Sequence, residues 1–287
     1  MLLSFLTSTS GLVVTPSALI VPAGLSYSRM PHPKCVSSWY DSGARLVVED
    51  GPAIKVADLP MAEDVWSQAV TVQGKSLKTW DVGEATTERV QLSLRSEGRP
   101  IEANIELWHT PSYIPTKFRI YSEDGLVRPI DAIIETPKHP KTVAVFNEGP
   151  IEFPFEASVA NTGLDKAYTS LASIEPELVQ GGKIMSHTFE GNVESVQILL
   201  KTDERNMKAM IELIQGPNQP KQIIEVYASV GYKNPFYIVL QTPGAASTIR
   251  IINQNTIEFP FDAWVLPLKV GAPIETGPVM GGFGAYN

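Results

Sequence analysis

Ile151-Glu152-Phe153-Pro154-Phe155 recurs, residue for residue, as Ile257-Glu258-Phe259-Pro260-Phe261. Working outward from this block, Val90 to Val159 aligns with Val196 to Val265 without a gap, and about a third of the positions are identical. Ile105-Glu106-Leu107 returns as Ile211-Glu212-Leu213, Thr136-Pro137 as Thr242-Pro243, and Gly125 and Pro129 as Gly231 and Pro235. With a small insertion, Val72-Gln73-Gly74-Lys75 corresponds to the run from Val179 to Lys183. Chance does not give ungapped identity of this extent, so the chain contains a tandem duplication.

The period inside each copy is two, the period of a strand. Ile101, Ala103, Ile105 and Leu107 alternate with Glu102, Asn104 and Glu106, and Met207, Ala209, Ile211 and Leu213 keep the same phase. Val90, Leu92 and Leu94 alternate with Gln91, Ser93 and Arg95, and further inward rows run through Ile130, Ala132 and Ile134 and through Val143 and Val145. Turn chemistry separates these runs at Glu97-Gly98-Arg99-Pro100, Glu123-Asp124-Gly125 and Thr136-Pro137. The pattern predicts an all-β fold, two tandem homologous sandwich-like units of about six short strands each. The predicted division is a lead segment over 1–71, unit 1 over 72–160, a linker over 161–178, unit 2 over 179–266 and a Gly/aromatic tail over 267–287. Ile151, Phe153 and Phe155 read as one face of a strand, which places Pro154 and Pro260 inside strands. A proline donates no ladder hydrogen bond, so these strands are expected at a sheet edge or a bulge, and both prolines become candidates for an assembly interface.

Composition narrows the function. The chain has 287 residues, is 43% hydrophobic and only 19% charged, and is therefore globular. A formal net charge of −8 argues against nucleic acid, which needs a Lys/Arg surplus. Cys35 is the one cysteine, which excludes an internal disulfide and a thiolate metal cage. Met1 to Leu25 is apolar, hydroxyl-rich and uncharged. It lacks the basic region of a secretory signal, and Gly11, Pro16 and Pro22 interrupt any membrane span. A targeting remnant and an ordered arm both remain open readings of it.

No catalytic motif emerges. The histidines His32, His109, His139 and His187 are scattered, and His109 and His139 become Gln215 and Ala245 in the other copy. His32 and Cys35 lie three apart, alone too little for a metal site. The repeated pairs Glu106/Glu212 and Glu152/Glu258 have the types needed for acid–base work, but their phase in the strands reads as a solvated face. Exposed Trp or Tyr could stack on a sugar, yet Trp108 and Trp264 occupy non-equivalent positions of the repeat. The expectation is no enzyme, no metal and no cofactor. The tail from Gly277 to Asn287 is nearly uncharged and carries Met280, Phe283 and Tyr286 among glycines. These three read as anchors for a groove on another chain.

The doubled β unit with its Ile-Glu-Phe-Pro-Phe blocks, together with this tail, resembles the diatom pyrenoid shell proteins from about residue 40 onward. The resemblance implies a chloroplast protein that self-assembles into a thin sheet at the pyrenoid periphery, in the stroma. Such a shell serves carbon fixation, as part of a CO2-concentrating mechanism, by limiting CO2 leakage. It further implies other copies of the chain as partners, with Rubisco or the pyrenoid matrix as the outside contact, no membrane span, and no catalytic residues to carry over. The alternative is a soluble, non-catalytic sandwich module binding a carbohydrate or a photosynthetic complex.

Overall fold

The computed structural model describes residues 63–272, apart from 85, 110–111, 138–139, 161–170, 172–173 and 217–218. Met280, Phe283, Tyr286 and both terminal arms lie outside the described residues, as do His32, Cys35 and His139. The strands of the first unit are β1 (Val70–Val72), β2 (Leu77–Asp81), β3 (Arg89–Arg95), β4 (Ile101–His109), β5 (Tyr113–Ser122), β6 (Ile130–Glu135), β7 (Lys141–Asn147) and β8 (Phe155–Ala160). Those of the second are β9 (Glu177–Val179), β10 (Ile184–Phe189), β11 (Val193–Lys201), β12 (Met207–Ile214), β13 (Pro220–Ala228), β14 (Phe236–Gln241), β15 (Ser247–Asn253) and β16 (Phe261–Val270). Among the described residues each unit therefore has eight strands rather than about six. The additional ones are short or follow polar segments where alternation is weak.

Two eight-stranded antiparallel sheets result. The first runs β1-β8-β3-β6-β14-β11-β16-β9 and the second β10-β15-β12-β13-β5-β4-β7-β2. Within a unit the orders 1-8-3-6 and 5-4-7-2 are those of a jelly roll. Both sheets are shared, since the units join where β6 pairs with β14 and β5 with β13. In those ladders Ala132 faces Ile238 and Arg119 faces Glu225. Each pair is separated by the repeat offset itself, so a pseudo-two-fold axis passes through both pairs.

One apolar core lies between the sheets. It takes Leu92, Ile105 and Ile120 from the first unit and their equivalents Ile198, Ile211 and Val226 from the second, all at most 3% exposed. The β4 alternation is as read from the sequence, with Ile101 to Leu107 inward and Glu102 to Trp108 outward. β3 departs from expectation, because Gln91 and Ser93 on its other face are also buried. The segment before β1 crosses that face: Ser158 donates to the Val65 carbonyl at 2.5 Å, and Arg95 stacks 4.2 Å from the Trp66 ring.

The Ile-Glu-Phe-Pro-Phe block is not one strand. Phe153 N–H donates to the Pro150 carbonyl at 3.0 Å, closing a turn with Ile151 and Glu152 at its tip, and β8 starts only at Phe155. Ile151 is 69% exposed, Phe153 half-buried and Phe155 buried, so the three do not share a face. Pro154 and Pro260 lie just before β8 and β16, where a missing donor costs nothing. Those strands are next to the edge; the edges of the first sheet are β1 and β9. Period-two hydrophobicity in the block arises from a turn followed by a strand.

Candidate assembly surfaces

Each repeated turn is held by one buried asparagine. Asn147 Nδ2 donates to the carbonyls of Val72 (3.1 Å) and Phe153 (2.9 Å), while its Oδ1 accepts from Gly149 N–H at 2.9 Å. Asn253 repeats the arrangement with Val179 (3.0 Å), Phe259 (2.9 Å) and the N–H of Asn255 (3.0 Å). The arginines Arg99 and Arg205 lie over Phe153 and Phe259, 5.5 and 5.6 Å from the ring centroids. Gly74 and Gly181 permit the close approach of the preceding corner. A Cβ there would lie 1.8 Å from the Pro150 oxygen and 1.7 Å from the Thr256 oxygen. The repeated sequence thus encodes a latch between the turn and the corner at each end of the sandwich.

Exposed apolar side chains follow the same symmetry. Ile151 and Ile257 are each 69% exposed, Leu77 and Ile184 are 50% and 57%, and Leu126 and Tyr232 are 66% and 53%. The first two pairs mark the two ends of the molecule; the third marks the loops after β5 and β13 at the junction.

The two outer faces differ. The outer face of the second sheet carries alternating charged and neutral side chains, including an Arg250–Glu212 ion pair at 3.1 Å. That of the first sheet is covered. Across the β6–β14 junction and the second unit's half, Ile133, Leu171, Leu199, Tyr237, Val239 and Leu268 form a separate apolar cluster. In the first unit Ser93 and Asp131 stand where the second has Leu199 and Tyr237; Gln91 donates to Ser93 (3.2 Å) and Ser93 to Asp131 (2.6 Å). Burial pushes the Asp131 carboxyl above the usual carboxylate range, against the lowering effect of the Ser93 hydrogen bond. It likewise raises the Tyr237 phenol, which donates to Gln197 at 3.1 Å. Sequence reasoning missed this row, because Gln, Ser and Asp on the polar phase of a strand look solvated.

The carboxylate pairs are kept apart. Glu106 on β4 and Glu212 on β12 have β5 and β13 between them, about 14 Å across the sheet at ordinary strand spacing. Glu152 and Glu258 sit on turns before β8 and β16, five strand spacings or roughly 24 Å apart. Both exceed the reach of an acid–base carboxylate pair. Trp108 and Trp264 lie on opposite sheets, and the Trp264 indole is engaged with the Ile174 carbonyl at 2.8 Å. His109 is buried edge-on against Tyr113. His187, whose pKa burial lowers while Glu177 at 3.6 Å opposes the shift, closes the corner between β9 and β10. Among the described residues no three His, Cys, Asp or Glu gather as metal ligands would.

Comparison with known proteins agrees with the sequence resemblance. The family model of the diatom pyrenoid shell protein matches residues 62–267, which includes all but the last residues of β16. No curated protein matches the chain. Among solved structures, tomato (Solanum lycopersicum) vicilin is similar at 8% identity over 68% of this chain and 75% of its own, with a TM-score of 0.19. Procruciferin, an 11S globulin from Brassica napus, is 8% identical over 69% and 76%, with a TM-score of 0.21. Hazelnut (Corylus avellana) vicilin is 10% identical over 70% and 76%, with a TM-score of 0.18. Scores this low supply no common arrangement to argue from.

Proposed function

The chain belongs to the diatom pyrenoid shell protein family, and from that premise we propose that its copies self-assemble into a sheet-like shell around the Rubisco-containing pyrenoid, supporting CO2 fixation. Membership implies a pyrenoid location in the chloroplast; the periphery, facing the stroma, is the place a shell occupies. The observation that carries the proposal is the duplication of exposed apolar positions at the two ends, Leu77 with Ile151 and Ile184 with Ile257. Two similar but non-identical ends on one rigid sandwich give heterologous contacts that extend rather than close. Burying one such side chain contributes about 1.5–3 kcal/mol, less than the roughly 4–15 kcal/mol that association costs. Assembly therefore needs several contacts at once, and multivalency within an array provides them. Met280, Phe283 and Tyr286 of the tail are proposed as further anchors on a neighbouring chain, with Pro154 and Pro260 beside the end surfaces. Rubisco or the pyrenoid matrix is proposed as the partner beyond the shell. In this role the chain works as a structural component without catalysis.

The test is the state of purified protein at rising concentration, followed by sedimentation and negative-stain microscopy. Sheets or tubes are expected. A small species of constant size across the range would instead favour the sandwich-domain binding module.

A further inference from the structure

We propose that successive copies join edge to edge, β2 of one chain pairing antiparallel with β10 of the next, so that the second sheet continues from chain to chain. The inference rests on the self-assembly reading and names its interface. The edges of the second sheet are β10 and β2, six and five residues long, whereas the first sheet ends in three-residue strands, which offer a shorter ladder.

The hydrogen-bond parity shows what these edges offer. Asn147 N–H donates to the Ser76 carbonyl at 2.9 Å and Val82 N–H to the Lys141 carbonyl at 3.1 Å, in line with the β2–β7 register. Antiparallel ladders alternate, so Lys78 and Trp80 bond inward while the backbones of Leu77, Thr79 and Asp81 face out of the sheet. On β10, Asn253 N–H donates to the Lys183 carbonyl at 3.0 Å. The outward backbones are there those of Ile184, Ser186 and Thr188. Among the described residues, each edge thus presents three residues whose ladder groups have no strand beside them, and such an edge must be protected or used.

Direction and charge select the pairing. Eight strands alternating in direction leave β2 and β10 antiparallel within one chain. A translated copy therefore presents its β10 antiparallel to β2 with no rotation, and the contact repeats without end. The chain already makes such a junction internally, where β5 of one unit pairs with β13 of the other. Setting Thr79 opposite Ser186 of the neighbouring copy places Leu77 opposite Thr188 and Asp81 opposite Ile184, so the outward residues of both strands pair throughout. Self-pairing of β2 about Thr79 would instead bring two Lys78 side chains onto one face, a diagonal apart. On β10 the equivalent of Lys78 is Met185, which packs on the core. The charged edge discourages β2 from pairing with itself and leaves β10 as its complement.

The test uses the full chain in a Cys35→Ser background, where introduced thiols stand alone. Thr79→Cys and Ser186→Cys variants are made singly and together, brought to assembling concentration and oxidised. The double variant is expected to give a ladder of disulfide-linked multimers. A mixture of the single variants should give a linked dimer, and each single variant alone should give none. A single variant that links to itself would overturn the pairing, because the contact would then be isologous. An assembled double variant that fails to link would overturn it too, leaving self-assembly intact. A parent protein that never pellets would remove both readings. Thr79→Pro deletes only an outward N–H; with circular dichroism unchanged, it should abolish the pelleted fraction, and pelleting at the parent's level would also overturn the inference.

Discussion

The rings of Phe118 and Phe236 meet edge to face, centroids 5.1 Å apart and planes at 62°. Phe118 belongs to β5 in the first unit and second sheet, and Phe236 to β14 in the second unit and first sheet. One contact therefore ties both units and both sheets at the middle of the molecule, and both residues are only 1% exposed. Their equivalents across the pseudo-axis are Ile224 and Ile130, each 0% exposed.

Phe118→Ala and Phe236→Ala should each lower stability by about 3–5 kcal/mol, the cost of a cavity in a close-packed core. The double variant should fall short of the sum, because an aromatic pair is worth about 0.5–1.5 kcal/mol beyond its buried area. Unfolding should stay a single transition in denaturant, followed in parallel by circular dichroism and tryptophan fluorescence. Two separated transitions would show that the units unfold independently despite their shared sheets.

Asn147→Ala should loosen the first unit's end and Asn253→Ala the second's. Each substitution strands two carbonyls and one N–H, and a buried group left unsatisfied costs about 1–3 kcal/mol. The exposed turn lets water reach part of this, so about 2–4 kcal/mol per site is expected from those magnitudes. Hydrogen exchange should accelerate at β1 and β2 in the first variant and at β9 and β10 in the second. Equal acceleration at both ends from one substitution would contradict a local latch.

Asp131 makes stability depend on pH. Burial raises its pKa above the ordinary 3.8, so the folded chain holds this proton more tightly than the unfolded chain does. The contribution is complete below the unfolded value and fades as pH rises through the folded one. Asp131→Asn keeps an acceptor for the Ser93 hydroxyl and has no charge to bury. Relative to the parent, its unfolding free energy should improve as pH is raised from about 4 to 8. A difference flat across that range would show that Asp131 ionises without penalty.

Deleting residues 277–287 should leave the sandwich folded and weaken large assemblies. Burying Phe283 and Tyr286 contributes about 1.5–3 kcal/mol each, while ordering the glycine-rich backbone costs about 1–2 kcal/mol per residue. On the proposed reading the tail therefore acts through repetition in the array. Sedimentation of the truncated protein beside circular dichroism provides the check, and unchanged assembly at the same concentration would remove the tail from the interface.

The sequence alone determined the duplication, the all-β class, the inward rows such as Ile101 to Leu107, and the family, because identity at a fixed offset and a period of two are properties of the chain itself. Tertiary structure decided the rest. Nothing local shows that β6 pairs with β14 and β5 with β13, since those ladders join residues about a hundred positions apart and are selected by burial of both units' apolar rows in one core. The Ile-Glu-Phe-Pro-Phe block looks like a strand because alternation cannot distinguish a turn tip from a pleat; the Asn147 and Asn253 hydrogen bonds make the distinction. Gln91 and Ser93 read as solvent-facing because their phase is polar, and they are buried, with Asp131 half-buried beside them, where the segment before β1 crosses this face. Which strands end the second sheet among the described residues depends likewise on neighbours supplied from far along the chain, so the edge positions of Thr79 and Ser186 exist only once the whole sandwich has closed.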